Sequence, residues 1–260
     1  MGADDLLGQW ASAATVIGSG SSGEVRFGDR NQVFSWASVS KLAVAAVIGL
    51  RVQRGSCGFN DPIGPDGSTF AHLLSHSSGL GPSRDSLGAR VGVKRIYSTY
   101  AYELLVEQCG GVERFIEECR SSFALTSVTS DGTAAGGLIG PLSDLERLVR
   151  AWMGDGPLHR ETLETMTTTF LPLLDGVVPG FGTLKPCPWA LGPQVKGTNH
   201  HWMGSNWSPD AFGHFGQSGA LVLIDRDANF GVAALSSQPF GPWAVTTWPE
   251  WTSQVYENYR

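Results

Sequence analysis

The chain has 260 residues and a mass of 27.7 kDa, and 42% of its residues are hydrophobic, which is enough to bury a sizeable core. A formal net charge of −6 and a pI of about 5.5, without a long cluster of lysine and arginine, argue against a nucleic-acid or anionic-membrane surface. We expect a small-molecule partner, and the sequence leaves the oligomeric state open.

The start of the chain predicts no targeting segment. MGADDLLGQWASAAT opens with acidic residues and lacks the basic region and apolar core of a secretory signal, so we expect a cytoplasmic protein. The cysteines form no CxxC pair or zinc-like spacing and are expected to be free thiols in a reducing compartment: Cys57, Cys109, Cys119 and Cys187.

The first part of the chain predicts a hairpin followed by a buried helix. ATVIGSGSSGEVRFGDR has β-branched residues on both sides of a Gly/Ser turn at residues 18–23, which is typical of two short strands. VSKLAVAAVIGLRVQR, residues 39–54, is apolar almost all round and is followed by Gly55. It predicts a central buried helix with Ser38 at its first turn.

The same turn contains a glycine pattern found in phosphate-binding loops. GSGSSGEV, residues 18–25, matches the pattern of dinucleotide and kinase loops. A dinucleotide loop leads into a helix, however, whereas EVRFG alternates like a strand, and the kinase strings HRD and DFG are absent. A hairpin turn is the better interpretation, and phosphate binding is the weaker alternative.

Helices dominate the middle of the chain, and strands return near its end. Ser143 and Glu146 have capping-box spacing at the start of the fourth of five amphipathic segments, which are FAHLLSH, YAYELLVEQCGG, VERFIEECRSS, SDLERLVRAWM and HRETLETMTT. Residues 219–237 predict two apolar strands joined by a DRDAN turn, and WPEWTSQVYENY predicts a closing helix. We predict one functional domain of the α/β (α+β) class, with a sheet part from residues 1–60 and 200–260 and a mostly helical part from residues 61–199.

Ser38 and Lys41, an SxxK pair, suit a nucleophile and its base. Residues three apart share a helix face, and an amine held among apolar neighbours loses solvation, which lowers its pKa. A neutral amine can accept the hydroxyl proton, and a helix N-terminus favours the developing negative charge. The pair alone is weak evidence, because a capping serine and a lysine reaching into water give the same spacing.

Five segments in order strengthen the chemical interpretation. Together they resemble the serine β-lactamase and penicillin-binding protein superfamily, particularly its class C-like esterase and D-aminopeptidase branch: FSWASVSK, TFAHLLSHSSGL, YSTYAY, AAGGLIGPLSDLERL and HFGQSG. The resemblance spans residues 33–237. It implies an antiparallel sheet flanked by helices, a helical subdomain, and an active site in the cleft between them.

The resemblance also implies roles for individual residues. Ser38 would be the acylated nucleophile, Lys41 its proton acceptor, and Tyr97 a second acid or base, with Tyr100 and Tyr102 as nearby rivals for that role. His214 would replace the lysine of the family's third motif. The backbone N–H groups of Ser38 and Gln217 would form the oxyanion hole.

Further residues are expected to contact the substrate. Thr99 stands where the family pattern has asparagine, which puts recognition of a substrate amide in doubt and affects esters less. The other expected contacts are Gly216, Ser218, Trp202 and Trp207, the last two as walls of an apolar acyl pocket.

The histidines predict no metal site. His72 and His76 lack the glutamate of HExxH and are expected to be structural, whereas His200 and His201 are expected in solvent-exposed loops. We expect no metal and no cofactor.

The predicted function is that of a serine hydrolase that cleaves a small ester or amide through an acyl group on Ser38, with Lys41 and Tyr97 as proton relay. The alternatives are a β-lactamase or D-amino-acid peptidase, and a catalytically silent module of the same fold that binds an acyl group or ligand. No GxSxG string is present, which excludes the α/β-hydrolase route.

Overall fold

The computed structural model describes residues 10–18 and 24–260. In chain order its strands are β1 (Ala13–Ile17), β2 (Val25–Gly28), β3 (Val33–Ser35), β4 (Thr129–Ser130), β5 (Leu138–Pro141), β6 (Gly176–Val178), β7 (Gly182–Leu184), β8 (Gln194–Val195), β9 (Phe212–Phe215), β10 (Leu221–Asp225) and β11 (Phe230–Leu235). Its helices are α1 (Ser40–Gln53), α2 (Phe70–Leu74), α3 (Thr99–Gln108), α4 (Val112–Phe123), α5 (Leu142–Met153), α6 (Arg160–Thr167) and α7 (Pro242–Tyr259).

The main sheet is antiparallel and has the strand order β2-β1-β11-β10-β9-β8. The pairing of β1 with β2 confirms the predicted hairpin, although residues 19–23 of its turn lie outside the described residues. β10 and β11 are the two predicted apolar strands. β8 comes from before residue 200, so the sheet takes one strand from the predicted helical part, and the two-part division of the chain stays a prediction.

Both faces of this sheet are buried. Along β10, Val222 and Ile224 face one core, whereas Leu221 and Leu223 face the other, as the two-residue period of a strand requires. The first core contains α1 and α5, and the second contains the tryptophan-rich α7. This double burial explains why β10 and β11 are apolar at every position but the last of β10.

α1 lies in the first core and is the buried central helix that the sequence predicts. Every residue from Ser40 to Leu50 is buried, so an apolar surface all round is what its environment requires. A short 3-10 turn, Ala37–Val39, precedes it and is reached from β3 in the second sheet, whose order is β3-β5-β4. This connection places Ser38 at the head of the helix.

Two local features follow from burial. The predicted capping box of α5 is wrong, because the N-cap residue is Pro141 and Ser143 lies within the helix. Glu146 is instead buried beneath Arg26 and Arg30, which lie 3.0 and 2.5 Å from its carboxylate oxygens. The cysteines are free thiols, as predicted, and Cys57 is the least buried of them.

Membrane insertion through a helix finds no support in the described part of the chain. None of its helices combines the length and the apolar character that crossing a bilayer needs.

Candidate active site

Ser38 is held at a sharp bend between β3 and α1. Trp36 is fully buried, and its indole N–H donates a hydrogen bond to the carbonyl of Gly140 at 3.1 Å. Ala37 then adopts a positive φ of 45°, which is uncommon for a residue with a side chain. The bend brings Ser38 to the wall of a pocket of about 170 Å³.

Lys41 lies directly behind Ser38 and is fully buried. Its Nζ is 3.4 Å from Ser38 Oγ and 3.4 Å from Thr99 Oγ1, and it donates a hydrogen bond to the carbonyl of Ala135 at 2.8 Å. Burial lowers the pKa of Lys41 to about 7, against a smaller opposing effect of the Glu103 charge. A large fraction of this amine is therefore neutral at physiological pH.

Tyr97 and His214 line the same pocket as Ser38. The Tyr97 hydroxyl is 3.4 Å from His214 Nε2, and His214 Nδ1 is 2.8 Å from the carbonyl of Phe215. Because a carbonyl only accepts, Nδ1 carries the ring proton and Nε2 accepts from the phenol. Burial lowers the pKa of His214 to about 3, with a contribution from the Lys41 charge, so the ring is neutral at pH 7.

Burial also raises the pKa of Tyr97, and its hydrogen bond with Ser38 opposes the rise only in part. The phenol is consequently protonated at neutral pH, which favours Tyr97 as a proton donor and leaves the role of base to Lys41. Beside it, the ring of His76 packs 4.5 Å from the Tyr97 ring, and its Nδ1 accepts a hydrogen bond from the Ser98 N–H at 3.1 Å. His76 thus supports the wall of the pocket.

The two rival tyrosines lie elsewhere. Tyr102 is fully buried, and its hydroxyl donates to the carbonyl of Leu74 at 2.7 Å. Tyr100 contacts the guanidinium of Arg84, 5.1 Å from its ring centre. Tyr97 is the tyrosine of this segment that lines the pocket.

The end of β9 approaches the Ser38 turn very closely. A Cβ atom on Gly216 would lie 2.5 Å from the Trp36 carbonyl oxygen and 3.1 Å from the Ser38 nitrogen. Only glycine allows this approach. The next residue, Gln217, lines the pocket together with Ser38, so both predicted oxyanion-hole residues border the same space.

Other predicted contacts are not brought to the pocket. Trp202 and Trp207 belong to the second core, where their indoles donate to Gln194 Oε1 at 2.9 Å and to the Thr252 carbonyl at 2.8 Å. They are buried there because α7 covers that face of the sheet. Ser218 is partly buried, and its Oγ accepts from the Ala220 N–H at 3.4 Å.

The predictions for the other histidines are only partly matched by the structure. His72 is held at 2.8 Å from Thr69 Oγ1. His200 is exposed, but His201 is 3% exposed, with Nε2 3.2 Å from the Lys196 carbonyl, so its placement in a solvent-exposed loop is wrong. The loop that carries His201 folds against the second core. The sequence around a single histidine does not show such packing.

Several further pocket residues were not predicted from the sequence. The walls also include Val178, Pro179, Trp189, Gln194 and Phe215. Trp189 takes the place predicted for the two later tryptophans, and the dense tryptophan content after residue 188 was the only hint of it. Among the described lining residues, no side chain is positively charged at pH 7, because His214 is neutral there.

Comparison with known proteins shows which family the chain resembles. A family model described as beta-lactamase matches residues 14–123 and 119–255. The structure of a beta-lactamase from Mycobacterium bovis is 34% identical, covers 98% of both chains, and superposes with a TM-score of 0.91. No curated protein sequence gives a significant match.

Two more distant structures share the fold. One is an octameric penicillin-binding protein homologue from Pyrococcus abyssi, with 18% identity over 97% of this chain and 75% of that chain and a TM-score of 0.68. The other is EstCE1, a hydrolase with promiscuous acyltransferase activity, with 15% identity over 93% of both chains and a TM-score of 0.69. With its β-lactamase/transpeptidase-like fold and a family model that matches most of its length, the chain belongs to the beta-lactamase family.

Proposed function

We propose that the protein is a serine hydrolase that cleaves neutral esters through an acyl group on Ser38. The observation that carries the proposal is Lys41, a fully buried amine whose pKa is about 7 and whose Nζ is 3.4 Å from Ser38 Oγ. An amine in this state is matched to general-base chemistry at neutral pH.

The contacts of the neutral amine assign its lone pair. A neutral Nζ has two hydrogens, and the carbonyl of Ala135 and the hydroxyl of Thr99 are positioned to accept them. The lone pair then faces Ser38 and takes its hydroxyl proton as Oγ attacks the ester carbonyl. The oxyanion is stabilised by the backbone N–H groups of Ser38 and Gln217.

Collapse of the tetrahedral intermediate requires a proton for the leaving alcohol. Tyr97 donates its phenolic proton and regains one from the Lys41 ammonium, whose Nζ lies 5.0 Å from the Tyr97 ring centre. Water then attacks the acyl-enzyme by the same route, which releases the acid and restores Ser38. His214 Nε2 accepts a hydrogen bond from the protonated phenol and orients it before the proton is transferred.

The charge of the pocket favours esters over lactams and peptides. β-lactams and D-peptide ends carry a carboxylate, and the lining offers no cation to hold one. Thr99 stands where the resemblance implies asparagine, so the side-chain amide that would recognise a substrate amide is missing. Both features support the esterase side of the class C-like branch.

The proposal is tested by following p-nitrophenyl butyrate and nitrocefin in parallel while the intact mass of the protein is recorded. We expect a butyryl adduct on Ser38 and ester turnover that exceeds lactam opening by roughly a hundredfold. Faster opening of nitrocefin would favour the β-lactamase alternative. A burst equal to the enzyme concentration without further release would favour the silent acyl-binding module.

The pH dependence of kcat/KM should be a single ascending limb. Because the base is the neutral form of Lys41, activity should rise as the pH passes the Lys41 pKa of about 7 and then level off. His214, whose pKa is about 3, and Tyr97, whose pKa is raised, add no falling limb between pH 6 and 9. Initial rates with p-nitrophenyl butyrate across this range check it, and a fall above pH 7.5 would assign the base elsewhere.

Gly216→Ala should reduce kcat by about a hundredfold with little change in KM, because its Cβ would push the end of β9 away from the Ser38 turn and spoil the oxyanion hole. Gly136→Ala is the matched control, since a Cβ there meets nothing within 4 Å. Steady-state kinetics of both variants decide the point. An unchanged kcat in Gly216→Ala would remove the oxyanion role of this turn.

A further inference from the structure

A second, larger cavity lies beside the catalytic pocket. We call it the hairpin groove. It has a volume of about 490 Å³ and lies between residues 94–97 and the β6–β7 hairpin, with walls that include Pro82, Ile96, Tyr97, Val177, Pro179 and Thr183. We propose that this groove binds an extended apolar arm of the ester substrate, an inference that rests on the proposed function of Ser38.

The groove and the catalytic pocket are adjacent. Tyr97 and Pro179 line both cavities, so they form the rim between them. A ligand whose carbonyl lies at Ser38 therefore reaches the groove by crossing these two side chains. The groove is thus placed to select what is attached to the reacting carbonyl.

Its walls are fixed by an internal network. The Arg95 N–H donates to the Asp175 carbonyl at 2.8 Å, and Arg95 forms a parallel bridge with Gly176, which joins the two sides. The buried Arg95 guanidinium donates to main-chain carbonyls of Ser75 at 2.8 Å and Cys187 at 2.5 Å, and also to those of Phe170 and Leu171. Four of its five N–H groups therefore donate within the protein, and at 5% exposure Arg95 is poorly placed to recruit an anion.

The chemistry of the groove fits a neutral apolar occupant. Val177 is 59% exposed, an unusual state for a strand valine, and lies directly opposite Thr183 in the hairpin. The exposed charges at the groove, Lys94 and Asp175, are of opposite sign and cancel. Each methylene of an occupant that is buried against this surface contributes about 0.8 kcal/mol to the binding free energy.

The sizes of the two cavities predict an asymmetric substrate. A cavity of about 150 Å³ holds one benzene molecule. The catalytic pocket, about 170 Å³, accepts one group of that size, whereas the groove, about 490 Å³, has room for roughly three. The substrate class is a neutral ester with one small half and one long or bulky apolar half.

Two ester series test the proposal and distinguish the acyl half from the alcohol half. In the acyl series, p-nitrophenyl octanoate is compared with p-nitrophenyl butyrate, and in the alcohol series, octyl butyrate is compared with butyl butyrate. We expect the longer ester to have a kcat/KM about tenfold higher in one series, which identifies the half that occupies the groove. Each ratio is independent of the fraction of folded enzyme.

The variants Val177→Asp and Thr183→Asp should each lower that ratio about tenfold, because they place a charge against the apolar arm. Leu87→Asp, which changes a side chain that is 95% exposed and outside the groove, is the matched control and should keep the native ratio. A Ser38 adduct with no gain in either series, or a gain that survives both groove variants, overturns the groove assignment alone. No adduct with any ester overturns the proposed function and this inference together.

Discussion

Ser38→Ala is expected to abolish the acyl adduct and to lower kcat/KM for p-nitrophenyl butyrate by a factor of about 10⁴ or more. The reason is the absence of a substitute nucleophile: the Lys41 amine lies behind Ser38 and is engaged by Ala135 and Thr99. The neighbouring phenol of Tyr97 is protonated at neutral pH. Intact mass after exposure to the ester, together with steady-state rates, gives the measurement.

The matched control is Ser40→Ala, since Ser40 lies two residues further along the same motif. Its Oγ is buried and accepts a hydrogen bond from the Leu138 N–H at 3.2 Å, so it braces β5 and does not face the pocket. Its loss should cost about 1 kcal/mol of stability and leave the adduct intact. An adduct that persists in Ser38→Ala and disappears in Ser40→Ala would move the nucleophile and defeat the mechanism.

The placement of Ser38 beside Lys41 could be predicted from the sequence because it depends on local spacing. Ser38 and Lys41 are three residues apart on one helix face, and the apolar neighbours that bury the amine are adjacent in the chain, so the low pKa followed from local pattern. Strands β10 and β11 could also be predicted, because strands buried on both faces are apolar at nearly every position. Which of three nearby tyrosines lines the pocket needed the structure.

The predictions that were wrong concerned residues whose positions depend on contacts between distant segments. Tryptophan density does not reveal which face of a sheet a ring occupies, and α7 draws Trp202 and Trp207 into the second core while Trp189 lines the pocket. Glu146 matched a capping box by spacing but pairs with Arg26, 120 residues away. A single sequence holds no record of such pairings.

Lys41→Met should remove about 10³-fold of kcat/KM while making the protein more stable. At pH 6 the native amine is charged and fully buried, and replacing it by an apolar side chain of similar length relieves that desolvation. We expect the free energy of unfolding to rise by about 2–4 kcal/mol at pH 6, less the hydrogen bond lost to the Ala135 carbonyl. Lys185→Met, at an exposed position, is the control and should change neither quantity.

The pH dependence of that stabilisation decides whether desolvation is its cause. The Lys41 pKa falls from 10.5 in the unfolded chain to about 7 in the native protein, so between these values the unfolded state binds one proton more. The stability of the native protein therefore rises with pH in this range, whereas Lys41→Met lacks this group. The advantage of the variant should shrink by about 2–3 kcal/mol between pH 6 and pH 9, measured by urea unfolding at both values. An advantage that stays constant with pH would show that Lys41 keeps an ordinary pKa, and the amine would then be charged at neutral pH and unable to serve as the base.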